Sequence, residues 1–343
     1  MSSPVASNRA KKQTDGNNTS PTKEILRHPT PMTTAPAAAI PTRALMIARD
    51  IKLSHSVFAL PFALLATFLA AAHAQRLPSV PVFALIVVCM FFARTVAMTI
   101  NRWADRQLDA LNPRTTGRAI PSGRVPEGAM LVAAIACAIM FVIATTGFWW
   151  VIANPWPLVL SPAVLAWLCL YSFMKRVTWL CHLFLGAALA ISPIAAVIAV
   201  EPAYLARPEP YLLAVMVLCW VAGFDVIYAL MDVDSDRQTG MQSLPARFGP
   251  GKAMMISKLL HVMCVAALIS LVIVSEPLGI AFAIGVAAVV VLLVVEHALV
   301  APVACSGAGQ APRRINMAFF TVNGVISVLL GAGGIADVVL FVR

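Results

Sequence analysis

Charge is scarce in this sequence. Only 12% of its residues are Asp, Glu, Lys or Arg, and the acids number 15 in 343 positions. A soluble domain carries about twice that charged fraction, so an ordinary water-exposed surface is excluded. The apolar stretches are long and continuous, without the alternation that barrel strands need. None of the seven cysteines forms a CxxC pair, and nearly all lie inside apolar runs. That excludes a disulfide frame or a zinc site, and they read as small buried hydrophobes. What is there instead is hydrophobicity: 60% of the residues, with a mean hydropathy of +0.85. The expected fold is an all-α polytopic membrane protein, because helices satisfy their own backbone groups in lipid.

Nine apolar segments are expected, near 53–72, 81–100, 128–149, 155–173, 178–200, 210–231, 253–275, 277–298 and 316–340. Each holds about 18–25 residues, enough to cross roughly 30 Å of hydrocarbon. Residues 1–42 are different in kind: rich in Ser, Thr, Pro, Asn and Ala, they read as a disordered tail before a transmembrane domain at 43–343. The tail lacks the apolar core of a secretory signal. Its few acids also suit a mitochondrial transit peptide, although the amphipathic helix of one is not evident.

The net charge of +10 is spread over short loops, which speaks against a nucleic-acid partner and for orientation in a lipid bilayer. Lys and Arg gather before the first segment, after the second (Arg102, Arg106, Arg114, Arg118, Arg124), and at Lys175, Arg176, Arg237, Arg247, Lys252, Arg313 and Arg314. The opposite loops hold Arg76, Arg207 and Arg343. The positive-inside rule places the N-terminus in the cytoplasm of a bacterial inner membrane, or in the equivalent compartment of a mitochondrion.

Five of the 15 acids fall in two short stretches. One is Asn101-Arg-Trp-Ala-Asp105-Arg-Gln-Leu-Asp109, the other Asp232-Val-Asp234-Ser-Asp236. Asn101, Asp105 and Asp109 recur every four residues and share one helix face, about 6 Å apart per step. Asp232 and Asp236 repeat that spacing, and Asp225 precedes them by two turns. Hard oxygens on helix ends suit Mg²⁺, which bridges to substrate phosphates. Like charges facing one cavity repel unless a cation lies between them. Arg114, Arg118, Lys175, Arg237 and Arg247 can lie at the same surface, and guanidinium forks match phosphate oxygens. Topology alone accounts for Arg176, Arg313 and Arg314. A calcium loop fails, because Arg237 and Ser243 stand where its Gly and Glu belong. Both stretches lead into basic loops with Pro and Gly and lie four segments apart, suggesting two related four-helix halves plus a ninth helix.

These motifs resemble the UbiA superfamily of intramembrane aromatic prenyltransferases. The first stretch continues through Arg114-Thr115…Arg118-Ala119-Ile120-Pro121-Ser122-Gly123, similar to that family's basic loop. The second runs Asp225…Tyr228-Ala229…Asp232…Asp236. Tyr171-Ser-Phe-Met-Lys175 matches a further family element. Arg102 departs from the pattern, standing where many members have Asp. With Phe58-Ala59-Leu60-Pro61-Phe62, it resembles a branch acting on 4-hydroxybenzoate or on dihydroxynaphthoate. The resemblance implies transfer of a polyprenyl group from an allylic diphosphate to an aromatic hydroxy acid in ubiquinone-type or menaquinone biosynthesis. It implies Mg²⁺ on Asn101, Asp105, Asp109, Asp232 and Asp236, and diphosphate on Arg114, Arg118, Lys175 and Arg237. Asp225, Lys175 and Tyr171 are the implied catalytic residues. Arg43, Arg49 or Lys52 is expected to meet the acceptor carboxylate. The rival class is an ion-coupled transporter, which would carry its acids on broken helices at the midplane rather than at helix ends.

Overall fold

Apolar runs interrupted by proline dictate where the helices start. The computed structural model describes residues 40–51, 58–306 and 315–343. Residues 1–39 of the expected tail, Lys52, Arg313 and Arg314 lie outside the described residues. α1 (Ile40–Asp50) begins within the span assigned to the tail. α2 (Leu60–His73), α3 (Val80–Leu111), α5 (Trp156–Leu170) and α7 (Glu209–Ala229) each carry Pro in the first turn, where no backbone donor is lost. α4 (Glu127–Ile152) follows Pro126 and ends on Ala153 in the left-handed region. α6 is Cys181–Val200. Two short helices, α8 (Val233–Thr239) and α9 (Leu244–Phe248), precede α10 (Pro250–Val274), α11 (Ile280–Ser306) and α12 (Asn323–Val342).

Among the described residues, eight helical segments are long and apolar enough to cross a membrane. The ninth, α2, has 14 residues and spans about 21 Å, less than the hydrocarbon core. It compensates by burial: Phe62, Leu65, Ala66, Leu69 and Ala70 are sealed within the bundle. Each apolar helix packs on the next in sequence, and α12 returns to pack on α2, closing a ring. α11 and α12 are tied by polar groups. Asp337 accepts from the Gly279, Ala281 and Phe282 amides, satisfying donors around the start of α11. Asn323 accepts from Trp220 Nε1 at 2.7 Å and donates to Glu296 at 2.9 Å.

α3 outlasts its apolar run and continues through Leu111, carrying Asn101, Asp105 and Asp109 as their helical spacing predicts, because nothing breaks it before Asn112-Pro113. One boundary differs from the sequence expectation. The second acidic stretch is not one helix. α7 ends at Ala229, residues 230–232 form a 3₁₀ turn, and α8 restarts at Val233. Gly240, at φ 73°, then closes α8 in a conformation glycine adopts without strain.

Candidate active site

The last three turns of α3 carry Asn101, Asp105 and Asp109 on one face. The break after α7 turns Asp232 and Asp236 toward the same space. Between them lies a cavity of about 1120 Å³, lined by all five residues and by Asp225, Arg114, Arg118, Tyr171 and Lys175. Its polar end is at the acidic motifs. The rest runs along one face of α5 and its following turn, past Pro157, Leu160, Ser161, Val164, Leu168 and Tyr171. That face covers about 21 Å at the helical rise. Phe141 and Phe148 of α4 and Ile194 and Ile198 of α6 extend the apolar wall.

Asp109, Asp105 and Asp232 are each held by basic groups, which offsets the cost of withdrawing their charge from water. Asp109 takes both its bonds from Arg118 Nη1, at 2.6 and 2.7 Å. Asp105 accepts from Lys175 Nζ at 2.5 Å and Arg176 Nη2 at 2.9 Å. Asp232 accepts from Arg114 Nε at 2.9 Å and Asn112 Nδ2 at 2.8 Å. Arg114 also donates to the Tyr228 hydroxyl at 3.0 Å and lies over that ring. Burial alone would lower the Arg114 pKa. Hydrogen bonds and charge from Asp232, with help from Tyr228, outweigh burial and raise it above the ordinary value.

Loop contacts join the two motif regions. The Gln242 amide donates to the Lys175 carbonyl at 2.8 Å, bringing the α8–α9 connection against the 3₁₀ turn at 171–176. Tyr171 donates to the Ala97 carbonyl at 3.3 Å, fixing that turn against α3.

Arg237 is the exception among the sequence candidates. It does not line this cavity: its Nε donates to the Ala246 carbonyl at 3.2 Å, in a small cleft shared with Arg247. Residue 237 follows Asp236 by one position, about 100° around α8, so the two side chains diverge. Arg176, assigned to topology alone, instead bonds Asp105. Two further cavity residues escaped the sequence reading. Arg94 sits two turns before Asn101 on α3, inside a stretch read as plain span. His182, at the start of α6, bonds Asp225 at 2.7 Å. The signal for Arg94 was present, since a cation within a span is costly and faces a cavity or partner. Of the carboxylate candidates, Arg49 lines the cavity and Arg43 does not.

Arg102 pairs with Asp50 of α1. Their 3.3 Å approach is a charge contact rather than an aligned hydrogen bond. Asp50 also accepts from the Ala119 amide at 2.8 Å, so α1 is fastened over the loop carrying Arg114 and Arg118.

Among the described residues no three His, Cys, Asp or Glu groups converge enough to hold a metal alone. Mg²⁺ does not require this, because waters and substrate phosphates complete its shell around one or two carboxylates. The hard oxygens of Asn101, Asp105, Asp109, Asp232 and Asp236, facing one cavity beside phosphate-matching cations, fit that ion.

A model of the UbiA prenyltransferase family matches residues 59–321. The chain belongs to this family. The match begins just before α2 and takes in both acidic motifs. A 4-hydroxybenzoate octaprenyltransferase of Serratia proteamaculans (strain 568) is 33% identical over 181 residues, 51% of this chain and 58% of that protein. The same-named protein of Yersinia pseudotuberculosis serotype IB (strain PB1/+) is 31% identical over 189 residues, 54% of this chain and 62% of its own. The alignments thus span less than two thirds of these relatives. Among solved structures, a UbiA homolog from Aeropyrum pernix K1 in its apo form superposes with a TM-score of 0.72 at 28% identity, covering 83% of this chain and 98% of its own. A UbiA homolog from Archaeoglobus fulgidus bound to DMAPP and Mg²⁺ shares the fold, with a TM-score of 0.54 at 16% identity over 87% and 99% of the two chains.

Proposed function

We propose that this chain transfers a polyprenyl group from an allylic diphosphate to the ring of 4-hydroxybenzoate, a step of ubiquinone-type quinone biosynthesis, in a bacterial inner membrane with the N-terminus cytoplasmic. One observation carries the proposal. The two acidic motifs and their cations form the head of a cavity that continues along a largely apolar face of α5, which rises about 21 Å. That shape fits a diphosphate head with a polyprenyl tail. The names of the Serratia and Yersinia relatives and the ligands of the Archaeoglobus homolog support the same chemistry.

Asn101, Asp105 and Asp109 on one wall, and Asp232 and Asp236 on the other, would hold Mg²⁺, which when bound offsets charge on the leaving pyrophosphate. Arg114, Arg118 and Lys175, now paired with the aspartates, turn to the diphosphate oxygens and stabilise charge as the allylic C–O bond breaks. Tyr171 and the apolar wall keep water from the allylic carbon, which it would otherwise convert to an alcohol. Arg94 meets the acceptor carboxylate from inside the cavity. Asp225 takes the phenolic proton, raising electron density at the ortho carbon that bonds the allylic carbon. That carbon then sheds its own hydrogen as a proton and aromaticity returns.

The test is an assay of the purified protein in lipid with a polyprenyl diphosphate and either 4-hydroxybenzoate or dihydroxynaphthoate. Prenylated benzoate is expected. Product from naphthoate alone would move the assignment to menaquinone synthesis. Electrogenic ion flux without prenyl substrate would replace it with transport.

A further inference from the structure

The His182–Asp225 contact has an order built into it. The Leu244 amide donates to His182 Nε2 at 3.2 Å, so that nitrogen carries no hydrogen. The neutral ring therefore holds its hydrogen on Nδ1, which lies 2.7 Å from Asp225 Oδ2. The Leu244 amide is itself placed by the first turn of α9, where Ser243 Oγ accepts from the Ala246 amide. The His182 side chain is 4% exposed while that of Asp225 is 22% exposed, and both line the cavity. A carboxylate turns freely about its last torsion unless one oxygen is held.

We propose that His182 is a positioning residue for the transfer reaction: it holds one oxygen of Asp225 so that the other is presented to the acceptor hydroxyl. His182 exchanges no proton in this role. The phenolic O–H bond breaks, its proton goes to Asp225, and its electron pair stays on the ring oxygen. This inference rests on the prenyltransfer reading above.

The alternative is that His182 merely anchors the Leu244 amide, and two substitutions separate these roles. His182→Asn places an amide nitrogen where Nδ1 stands, keeping the donor to Asp225 and losing the acceptor for Leu244. His182→Gln does the reverse. Rates with polyprenyl diphosphate and 4-hydroxybenzoate should show His182→Asn within about threefold of wild-type kcat. His182→Gln and His182→Ala should lose about ten- to a hundredfold, a part of the usual general-base contribution. KM for the diphosphate should stay within about twofold. On an Asp225→Ala background the Asn and Gln variants should be equally slow. Gln matching or exceeding Asn, a gap between them that survives Asp225→Ala, or loss of the folded state in all three single variants would overturn the proposal. A wild-type protein that prenylates neither ring would instead defeat the functional reading beneath it.

Discussion

At the scale of the residue, three aspartates of this cavity are committed to cations. Asp105 holds Lys175 and Arg176, Asp109 holds Arg118, and Asp232 holds Arg114. On the proposed reading substrate breaks these pairs, and removing an acid takes away a metal ligand and leaves a partly exposed cation unpaired. Asp105→Ala or Asp232→Ala should lower kcat by about a hundredfold or more, within the range for losing a transition-state charge stabiliser, while the protein still purifies as a single species. Arg237→Ala should leave the rate within about twofold, because its guanidinium faces Ala246 rather than the cavity. The motif residues were legible because their spacing of four is helical and their chemistry is rare in an apolar chain. The partners were less so. Asp50 and Arg102 are 52 positions apart and meet only because α1 folds back over α3. His182 looked like one polar residue in a span, and nothing local to it points to Asp225.

At the scale of the element, helix number and order follow from the sequence pattern, and the break within the second acidic stretch does not. Apolar content marks where lipid begins and ends. It does not mark the end of α3, which runs 11 residues past the apolar run, as the spacing of Asn101, Asp105 and Asp109 predicts. Nor does a spacing of four reveal that Asp232 stands in a 3₁₀ turn. Two contacts between elements can be tested by thermal unfolding in detergent. Asp50→Ala leaves the Arg102 guanidinium buried without its partner and should cost about 3 kcal/mol. The double variant Asp50→Ala/Arg102→Leu should recover part of that loss. An unchanged Tm in the single variant would show that α1 is not fastened by this pair. At Gly223, an added Cβ would lie 2.4 Å from His261 Cδ2 and Nε2. His261 is held by His297 at 2.9 Å, so Gly223→Ala should destabilise by about 1–3 kcal/mol. Here α7 approaches α10 more closely than a side chain allows.

At the scale of the whole molecule, the described helices line an elongated cavity, polar at one end and apolar beyond. This division suits a substrate with a charged head and an oily tail. Donor chain length and acceptor ring were not legible in the sequence, because both depend on the cavity's dimensions and on side chains from five or more helices. On the proposed reading, the opposed aspartates work together on a metal-bridged diphosphate. The most direct measurement is prenyl transfer by the wild-type protein in liposomes, with polyprenyl diphosphate and 4-hydroxybenzoate, in Mg²⁺ and again after chelation. Prenylated ring should form with Mg²⁺, vanish on chelation and return when Mg²⁺ is restored. Transfer that continues undiminished in chelator would contradict the claim.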